Sequence, residues 1–478
     1  MALYFCKQKG CNCKSLHYRF KEGRCRDCGH RPFSHYAHFN KHILNVIQRD
    51  GYRQDGRRAM FKLKTEVLDK ALLRRTKESR AEDMNLPPRI VSIRTIRMSP
   101  VEEDFYHGMP HKTQDFFPVL IFILTVRHLS SMSGLYTQSR ANFDQYVNEG
   151  VLLNNYAHIF DLLTKLRQAC DHPYLIVHSK TISSKTQTGR RQVGNGSIEC
   201  GICHELPTEG IKATCCSGLF CRVCVVEYIE SSGGEGTPCP GCDAPFSVDL
   251  NQESSDTIDD GTLNLPTTSN DSQGGPSLKE LSHVPSGSIL RRINLQEFTT
   301  STKIEALVQE LIQMRKLRPG SKALVFSQFT SMLDLIRWRL HSDPSLSDLG
   351  LGCRILHGGM NVQSRDTTLK EFRESADVRV LLMSLKAGGV ALNLTVASEV
   401  FLLDPWWNPA AEMQAIDRTH RLGQYRPIRA VRFITENSVE QRVLELQHKK
   451  RLVFDGTVGR DAGSLTALSV EDMKALFC

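Results

Sequence analysis

The last third of the chain alternates short apolar runs with helix-patterned stretches, and this leaves few folds open. The runs are SKALVFSQF (321–329), GCRILH (352–357), VRVLLMS (378–384), EVFLLD (399–404) and IRAVRFIT (428–435). TKIEALVQELIQMRK, TSMLDLIRWRL and NVQSRDTTLKEFRE, each with helical periodicity, precede or separate them. Strands that stay apolar throughout, each returning through a helix, predict a parallel sheet covered on both faces. Ligands of such sheets gather at the carboxyl ends of the strands. Polar and glycine-bearing residues fall at those ends: Ser327-Gln328, His357-Gly358-Gly359, Ser384-Leu385-Lys386-Ala387-Gly388-Gly389 and Asp404-Pro405-Trp406-Trp407.

The fourth run leads into residues 401–424, FLLDPWWNPAAEMQAIDRTHRLGQ, which hold two of the three tryptophans. Gln414, Arg418 and Arg421 are spaced i, i+4 and i+7, so a continuous helix would carry them on one face. Arginine is always charged and presents a planar fork of donors, which suits a phosphate. Gly388-Gly389 would let backbone N–H groups approach a phosphate closely, with Lys386 adding charge.

Cysteines organise two other regions. Thirteen of the sixteen lie in two groups. Cys200-x2-Cys203, Cys215-Cys216, Cys221-x2-Cys224 and Cys239-x2-Cys242 have the spacing of paired zinc knuckles. The first 42 residues hold Cys6, Cys11, Cys13, Cys25 and Cys28, with His30, His35, His38 and His42 following. There the C-x-C and C-x-x-C pairs, Cys11, Cys13, Cys25 and Cys28, match one tetrahedral zinc, with Cys6 or Cys11 in reserve. No stretch reaches the roughly 20 apolar residues of a membrane span. The residues after Met1 lack a secretory leader's apolar core. The chain therefore reads as nuclear or cytosolic, where cysteines serve as metal ligands rather than disulfides. Residues 1–100 carry 23 Lys+Arg against 9 Asp+Glu, a basic balance that fits a polyanion such as nucleic acid.

These signals divide the chain. Residues 1–50 form a Cys/His-rich insert and 51–178 a mainly helical stretch, with a strand expected in IVSIRTIRM after Pro87-Pro88. Within it, 107–134 breaks the helical pattern with FFPVLIFILTV and reads as an aberrant insert, with a buried strand as the alternative. Polar segments 179–198 and 248–298 are linkers around a cysteine module at 199–247. The α/β domain occupies 299–460, and 461–478 is a tail.

The strings DPWWNP (404–409) and QAIDRTHRLGQ (414–424), with LRRTK (73–77), LPPR (86–89) and RQACDHPYL (167–175), resemble motifs of Swi/Snf-type DNA translocases. The order of zinc insert, LRRTK, cysteine module and second lobe resembles the RING-containing subgroup of nucleotide excision repair. The resemblance implies a RecA-like helicase C-terminal lobe with an inserted RING-type zinc module and an N-terminal helical and zinc-binding remnant of the first lobe. It implies that Arg418 and Arg421 are arginine fingers for ATP, with Gln414 orienting them. Ser327, Gln328, Lys386, Gly388, Gly389, Trp406 and Trp407 would face DNA or nucleotide. The cysteine module resembles a RING finger, which implies one zinc on Cys200, Cys203, Cys221 and Cys224. A second would sit on Cys216, Cys239, Cys242 and a histidine two residues after Cys216. That position is Gly218, so Cys215 or His204 supplies the fourth ligand or the site is weak. Ile202 and Pro240 would touch a ubiquitin-conjugating enzyme. Asp243 takes the place where many active RINGs carry a basic residue.

Residues 1–478 contain neither G-x-x-x-x-G-K-[ST] nor D-E-x-H, so ATP and Mg2+ belong with a first lobe that this stretch does not supply. The expected function is the C-terminal part of an ATP-dependent, nuclear DNA repair translocase with RING-type ubiquitin ligation. Its partners would be duplex DNA, a ubiquitin-conjugating enzyme and a damage-recognition protein. The competing expectation is a zinc- and DNA-binding ubiquitin ligase or scaffold without motor activity.

Overall fold

A computed structural model describes residues 4–15, 22–37, 39–50, 54–63, 85–107, 134–149, 156–179, 200–205, 207, 210–216, 218–232, 238–242, 244–249, 288–358, 360, 362–384, 392–457 and 470–477. The chain divides into two compact units, one of residues 1–84 with 445–466, the other of 85–444 with 467–478. Lys386, Gly388, Gly389, Asp243, LRRTK and residues 108–133 of the expected aberrant insert lie outside the described residues.

The first unit contains a three-stranded antiparallel sheet, β2-β1-β3, from β1 (Tyr4–Cys6), β2 (Lys14–Ser15) and β3 (His35–Ala37). Helices Asn45–Asp50 and Gln54–Lys62 follow, with a small core of Ile43, Ile47, Ala59 and Met60.

The second unit is built on a six-stranded sheet. Its strands are β4 (Arg89–Ile96), β7 (Ala323–Ser327), β8 (Gly352–Leu356), β9 (Val378–Ser384), β10 (Glu399–Leu402) and β11 (Ile428–Thr435), in the order β4-β11-β10-β7-β9-β8, while β5 (Gly210–Lys212) and β6 (Leu219–Cys221) form an antiparallel pair in the cysteine module. Every pairing in the six-stranded sheet is parallel. Side chains alternate across the sheet. Val325, Leu382, Phe401 and Phe433 pack on one face with helices Thr302–Leu317 and Thr330–Ser342. Leu324, Phe326, Leu381, Val400 and Ala430 pack on the other with helices Val362–Glu374 and Pro409–Asp417. This two-sided burial explains why these strands read as continuous apolar runs.

The structure redraws three boundaries. The strand expected in the first lobe's tail is β4, and it pairs along its full length with β11, from Arg89 opposite Ile428 to Ile96 opposite Thr435. It is an edge strand, and its apolar Ile90, Val91 and Ile93 are exposed while Ile96 at its end is buried. The end of the expected 248–298 linker is core: Ile289, Leu290 and Ile293 are buried, and the segment packs on helix Thr330–Ser342, with the Ser288 hydroxyl donating to Asp334 Oδ2 at 2.5 Å. The expected tail forms helix Val470–Phe477. Its Phe477 ring stacks 4.4 Å from Phe143 on helix Leu135–Asn148, and the Tyr136 hydroxyl donates to the Phe477 carbonyl at 2.9 Å. Helix Pro100–His107 and helix Leu135–Asn148 meet where their chains leave the described residues: Thr137 Oγ1 donates to the His107 carbonyl at 3.0 Å.

Helix Tyr156–Asp171 and the turn after it are tied to the sheet through buried polar groups. Lys303 Nζ donates to Asp171 Oδ1 at 2.8 Å and to Glu440 Oε1 at 2.6 Å, all three at most 1% exposed. His172 Nε2 lies 3.0 Å from the Thr299 carbonyl, and the Tyr174 N–H donates to His172 Nδ1. Burial pulls His172 down to about 4. A histidine that folds neutral while its unfolded counterpart titrates near 6.5 binds fewer protons in the native state. Stability is therefore fully present above pH 6.5 and falls as pH drops towards 4. We expect this group to cost about 3 kcal/mol across that window. His172→Asn should flatten the dependence of unfolding free energy on pH between 4 and 6.5; an unchanged slope would refute the assignment.

Candidate functional site

At the carboxyl ends of β7 and β10 the polypeptide is locked by its own polar groups. The Gln328 N–H donates to Asp404 Oδ2 at 2.8 Å, and Gln328 Nε2 donates to the Pro405 carbonyl at 3.0 Å. Arg167, from helix Tyr156–Asp171, donates to the same carbonyl at 2.7 Å. Its guanidinium lies 4.9 Å from the centre of the Trp407 ring and 5.9 Å from that of Phe329. The Trp406 N–H donates to Glu412 Oε1, whose other oxygen pairs with Arg432. Burial raises Asp404, against the opposing pull of Arg167.

This corrects the expectation for four residues. Ser327 and Gln328 are buried, and Trp406 and Trp407 are 5% and 8% exposed. They frame the strand ends and leave little surface for DNA or a nucleotide to touch. Their signal was sound as to location and misleading as to exposure: a large indole fills space best when it covers a buried cation such as Arg167.

Beyond them, helix Pro409–Asp417 starts where the sequence marks it. Asn408 caps it, its Oδ1 accepting from the Ala410 N–H at 2.9 Å, and Pro409 takes the first position. The helix stops at Asp417. Gln414, Arg418 and Arg421 therefore do not share one helical face: Gln414 is exposed on the helix, Arg418 caps its end and Arg421 lies in the following turn. Gln424 holds that turn. Its amide nitrogen lies 2.9–3.1 Å from the carbonyl oxygens of Ala397, Thr395 and Thr419, and its oxygen accepts from the N–H groups of Tyr425 and Arg426. Gly423 has φ +96°, a conformation an L side chain rarely adopts. The turn sets both arginines beside the segment that enters β10: the Arg418 carbonyl accepts from the Leu394 N–H at 3.1 Å. Arg418 is buried, and both that burial and the charge of Arg421 hold it below the usual guanidinium range. Arg421 donates to the Leu392 carbonyl at 3.4 Å. Cations partly out of water favour the approach of an anion.

The cysteine module has two interleaved sulfur clusters. Cys200, Cys203, Cys221 and Cys224 converge, as do Cys215, Cys216, Cys239 and Cys242, each set with its ligand atoms within 4.8 Å of one another. Sulfur separations of 3.9 Å for Cys203–Cys221 and 3.6 Å for Cys216–Cys239 match the tetrahedral edge of about 3.8 Å set by ~2.3 Å Zn–S bonds. The donor set fits zinc. Cys215, and not His204, completes the second cluster; His204 Nε2 lies 2.7 Å from Asp161 Oδ1 instead. A side chain at position 218 would place its Cβ 3.1 Å from Cys216 Sγ, tighter than an ordinary contact. We expect Cys215→Ser to lower bound zinc by one ion per chain; an unchanged zinc content would reject Cys215 as a ligand.

The first knuckle is fastened to the α/β unit. Glu205 Oε2 accepts from the Thr330 hydroxyl at 2.5 Å and from the N–H and hydroxyl of Ser331 at 3.1 and 2.9 Å. It thereby caps helix Thr330–Ser342, where its charge also meets the helix dipole. Gln168 Nε2 donates to the Cys203 carbonyl at 3.5 Å. Ile202 is 5% exposed and Pro240 half-buried. The expected contact of Ile202 with a conjugating enzyme is thus closed in this arrangement. Glu205 and Arg167 are the residues that pattern reading missed as site-builders, because each acts on an element more than 100 residues away.

In the N-terminal unit the expected set of Cys11, Cys13, Cys25 and Cys28 does not converge as one group. Two groups form instead, Cys6, Cys11, Cys28 and His30, and Cys13, Cys25, Cys28 and His35.

Residues 302–423 match the helicase conserved C-terminal domain and residues 28–175 the SNF2-related domain. The chain is 42% identical over 482 residues to the ATP-dependent helicase rhp16 of Schizosaccharomyces pombe, covering 100% of this chain and 48% of that protein. It is 32% identical to the DNA repair protein RAD5B of Arabidopsis thaliana, covering 93% of this chain and 32% of that protein. Among solved structures it is similar to the C-terminal part of the Fun30 ATPase domain, at 18% identity and a TM-score of 0.41, over 82% of this chain and 97% of the other. The chain spans about half the length of the curated relatives it matches.

Proposed function

The chain belongs to the Swi/Snf-type family of helicase-like proteins, and from that premise we propose that it is the C-terminal part of an ATP-dependent DNA repair translocase. The observation that carries this reading is the turn after helix Pro409–Asp417, which holds Arg418 and Arg421 against residues 392–397 where the chain enters β10. On this reading the pair neutralises charge on the γ-phosphoryl of an ATP–Mg2+ held by a first lobe. Duplex DNA is the partner of the lobe, gripped through its phosphates and not through base edges. The interleaved cysteine clusters support a RING-type module on two zinc ions. The chain would then also work with a ubiquitin-conjugating enzyme and a damage-recognition protein in the nucleus. For ligation the buried Ile202 would have to be uncovered by movement of the knuckle that Glu205 and His204 tie down.

DNA-stimulated ATP hydrolysis, measured for residues 1–478 alone and for the full-length protein, tests the reading. We expect hydrolysis only where a nucleotide-holding lobe is present. Hydrolysis by residues 1–478 alone would overturn it. No hydrolysis in either would favour the second reading, a zinc- and DNA-binding ligase or scaffold. That reading draws support from the missing G-x-x-x-x-G-K-[ST] and D-E-x-H strings.

A further inference from the structure

The N-terminal unit offers seven metal-ligand side chains arranged around one of them. Cys6, Cys11 and His30 cluster with Cys28 on one side; Cys13, Cys25 and His35 cluster with Cys28 on the other. The fold explains the convergence. Strand β1 ends in Cys6, which sits opposite His35 at the start of β3. The Cys6 N–H donates to the Cys13 carbonyl at 3.2 Å, which folds the loop with Cys11 back onto β1. A second loop, Cys25–His30, closes through Gly29 N–H to the Cys25 carbonyl and Cys25 N–H to the His30 carbonyl, both 2.9 Å. Gly29 has φ +73°, so the loop turns through a conformation open to glycine. The donor separations are those of metal polyhedra, Cys6 Sγ to His30 Nδ1 3.3 Å, Cys28 Sγ to His35 Nε2 3.2 Å and Cys13 Sγ to Cys25 Sγ 3.9 Å, the last too long for a disulfide.

We infer that this unit holds two zinc ions joined by the Cys28 thiolate. Each structural zinc takes four ligands, so two ions have eight coordination positions. Seven side chains fill them if one bridges, and Cys28 is the residue common to both groups. A thiolate has lone pairs enough for two metals. A single ion would use one group and leave three clustered donors of the other without a purpose. Five thiolates against two divalent ions leave the centre nearly neutral. The pairing also explains why two histidines follow the knuckle at residues 30 and 35, since one zinc on four cysteines would need neither. Each ion crosses the two loops, so the unit's small core of four buried apolar side chains gains its cross-links from metal.

Two measurements on the whole chain test this. Zinc X-ray absorption should show a Zn–Zn vector of ~3.5 Å, the separation that two ~2.3 Å bonds to one sulfur allow. The cysteine module's clusters have no residue in common and so add no such vector. Zinc content should fall by two ions in Cys28→Ser but by one in Cys6→Ser and in Cys13→Ser. No Zn–Zn vector in the unsubstituted chain overturns the inference, whatever the variants do. So does a loss in Cys28→Ser no larger than in Cys6→Ser. If all three variants lose both ions because the unit unfolds, the Zn–Zn vector alone decides. None of these readouts depends on the ATPase or ligase readings.

Discussion

Replacing Arg421 with alanine in the full-length protein is expected to lower DNA-stimulated ATP turnover by on the order of 10³-fold, the scale of removing an arginine finger. The reason lies in where the charge sits. Arg421 is half-buried in a turn fixed by Gln424, and it donates a long bond to the Leu392 carbonyl. Little of the native fold depends on it, so stability should move by no more than about 0.5 kcal/mol. Arg421→Lys keeps the charge but loses the fork, and should recover only part of the rate. Arg418→Ala should be equally inactive but less informative, because Arg418 is buried and its backbone carbonyl accepts from the Leu394 N–H. Steady-state hydrolysis with and without duplex DNA, alongside thermal unfolding, separates these effects. Turnover of Arg421→Ala within tenfold of the unsubstituted protein would end the finger assignment.

The second large effect is structural. Among the described residues Lys303 is the one cation paired with Asp171 and Glu440, and all three are buried. Burial alone would pull the Lys303 pKa down; the two carboxylates more than offset this and hold it above its usual value. Burial also pushes Asp171 well up, with Asp404 and Glu440 adding to it. Lys303→Met removes the cation and leaves the carboxylates facing each other out of water. We expect a loss of about 3–5 kcal/mol, the usual cost of breaking a buried pair from one side, or roughly 10 °C in melting temperature for a domain of this size. The triple change Lys303→Met, Asp171→Asn, Glu440→Gln should recover much of it, because no buried charge is then left alone. A melting temperature for Lys303→Met within about 2 °C of the unsubstituted chain would show that the triad is not what holds helix Tyr156–Asp171 to the sheet.

Much of this was legible in the residues. Two-sided burial of a parallel sheet forces apolar runs, so β7, β8, β9, β10 and β11 stand out one by one. Zinc demands cysteines in close pairs, so the C-x-x-C knuckles of the module announce themselves. The Asn-Pro start of helix Pro409–Asp417 is equally local. The errors have a common physical source. Period and spacing say which residues share a strand or helix, but not whether that element is covered. Trp406, Trp407 and Ile202 carry the right chemistry for contact and are nevertheless buried. The heptad-like spacing of Gln414, Arg418 and Arg421 promised one face, yet the helix ends between the first and the last of them.

The sequence by itself determined the parallel α/β class, the start of helix Pro409–Asp417 and the pairing of cysteines in knuckles fit for metal, because each depends on residues close together in the chain. Tertiary structure alone decided that Arg89–Ile96 completes the sheet beside β11, more than 300 residues away. It alone brought Arg167 over Trp407, set Glu205 as the cap of helix Thr330–Ser342, and chose Cys215 over His204. It also made Cys28 common to two ligand groups. These outcomes depend on which surfaces meet when the chain closes. Burial and the pairing of buried polar groups set that closure, and no local pattern encodes it.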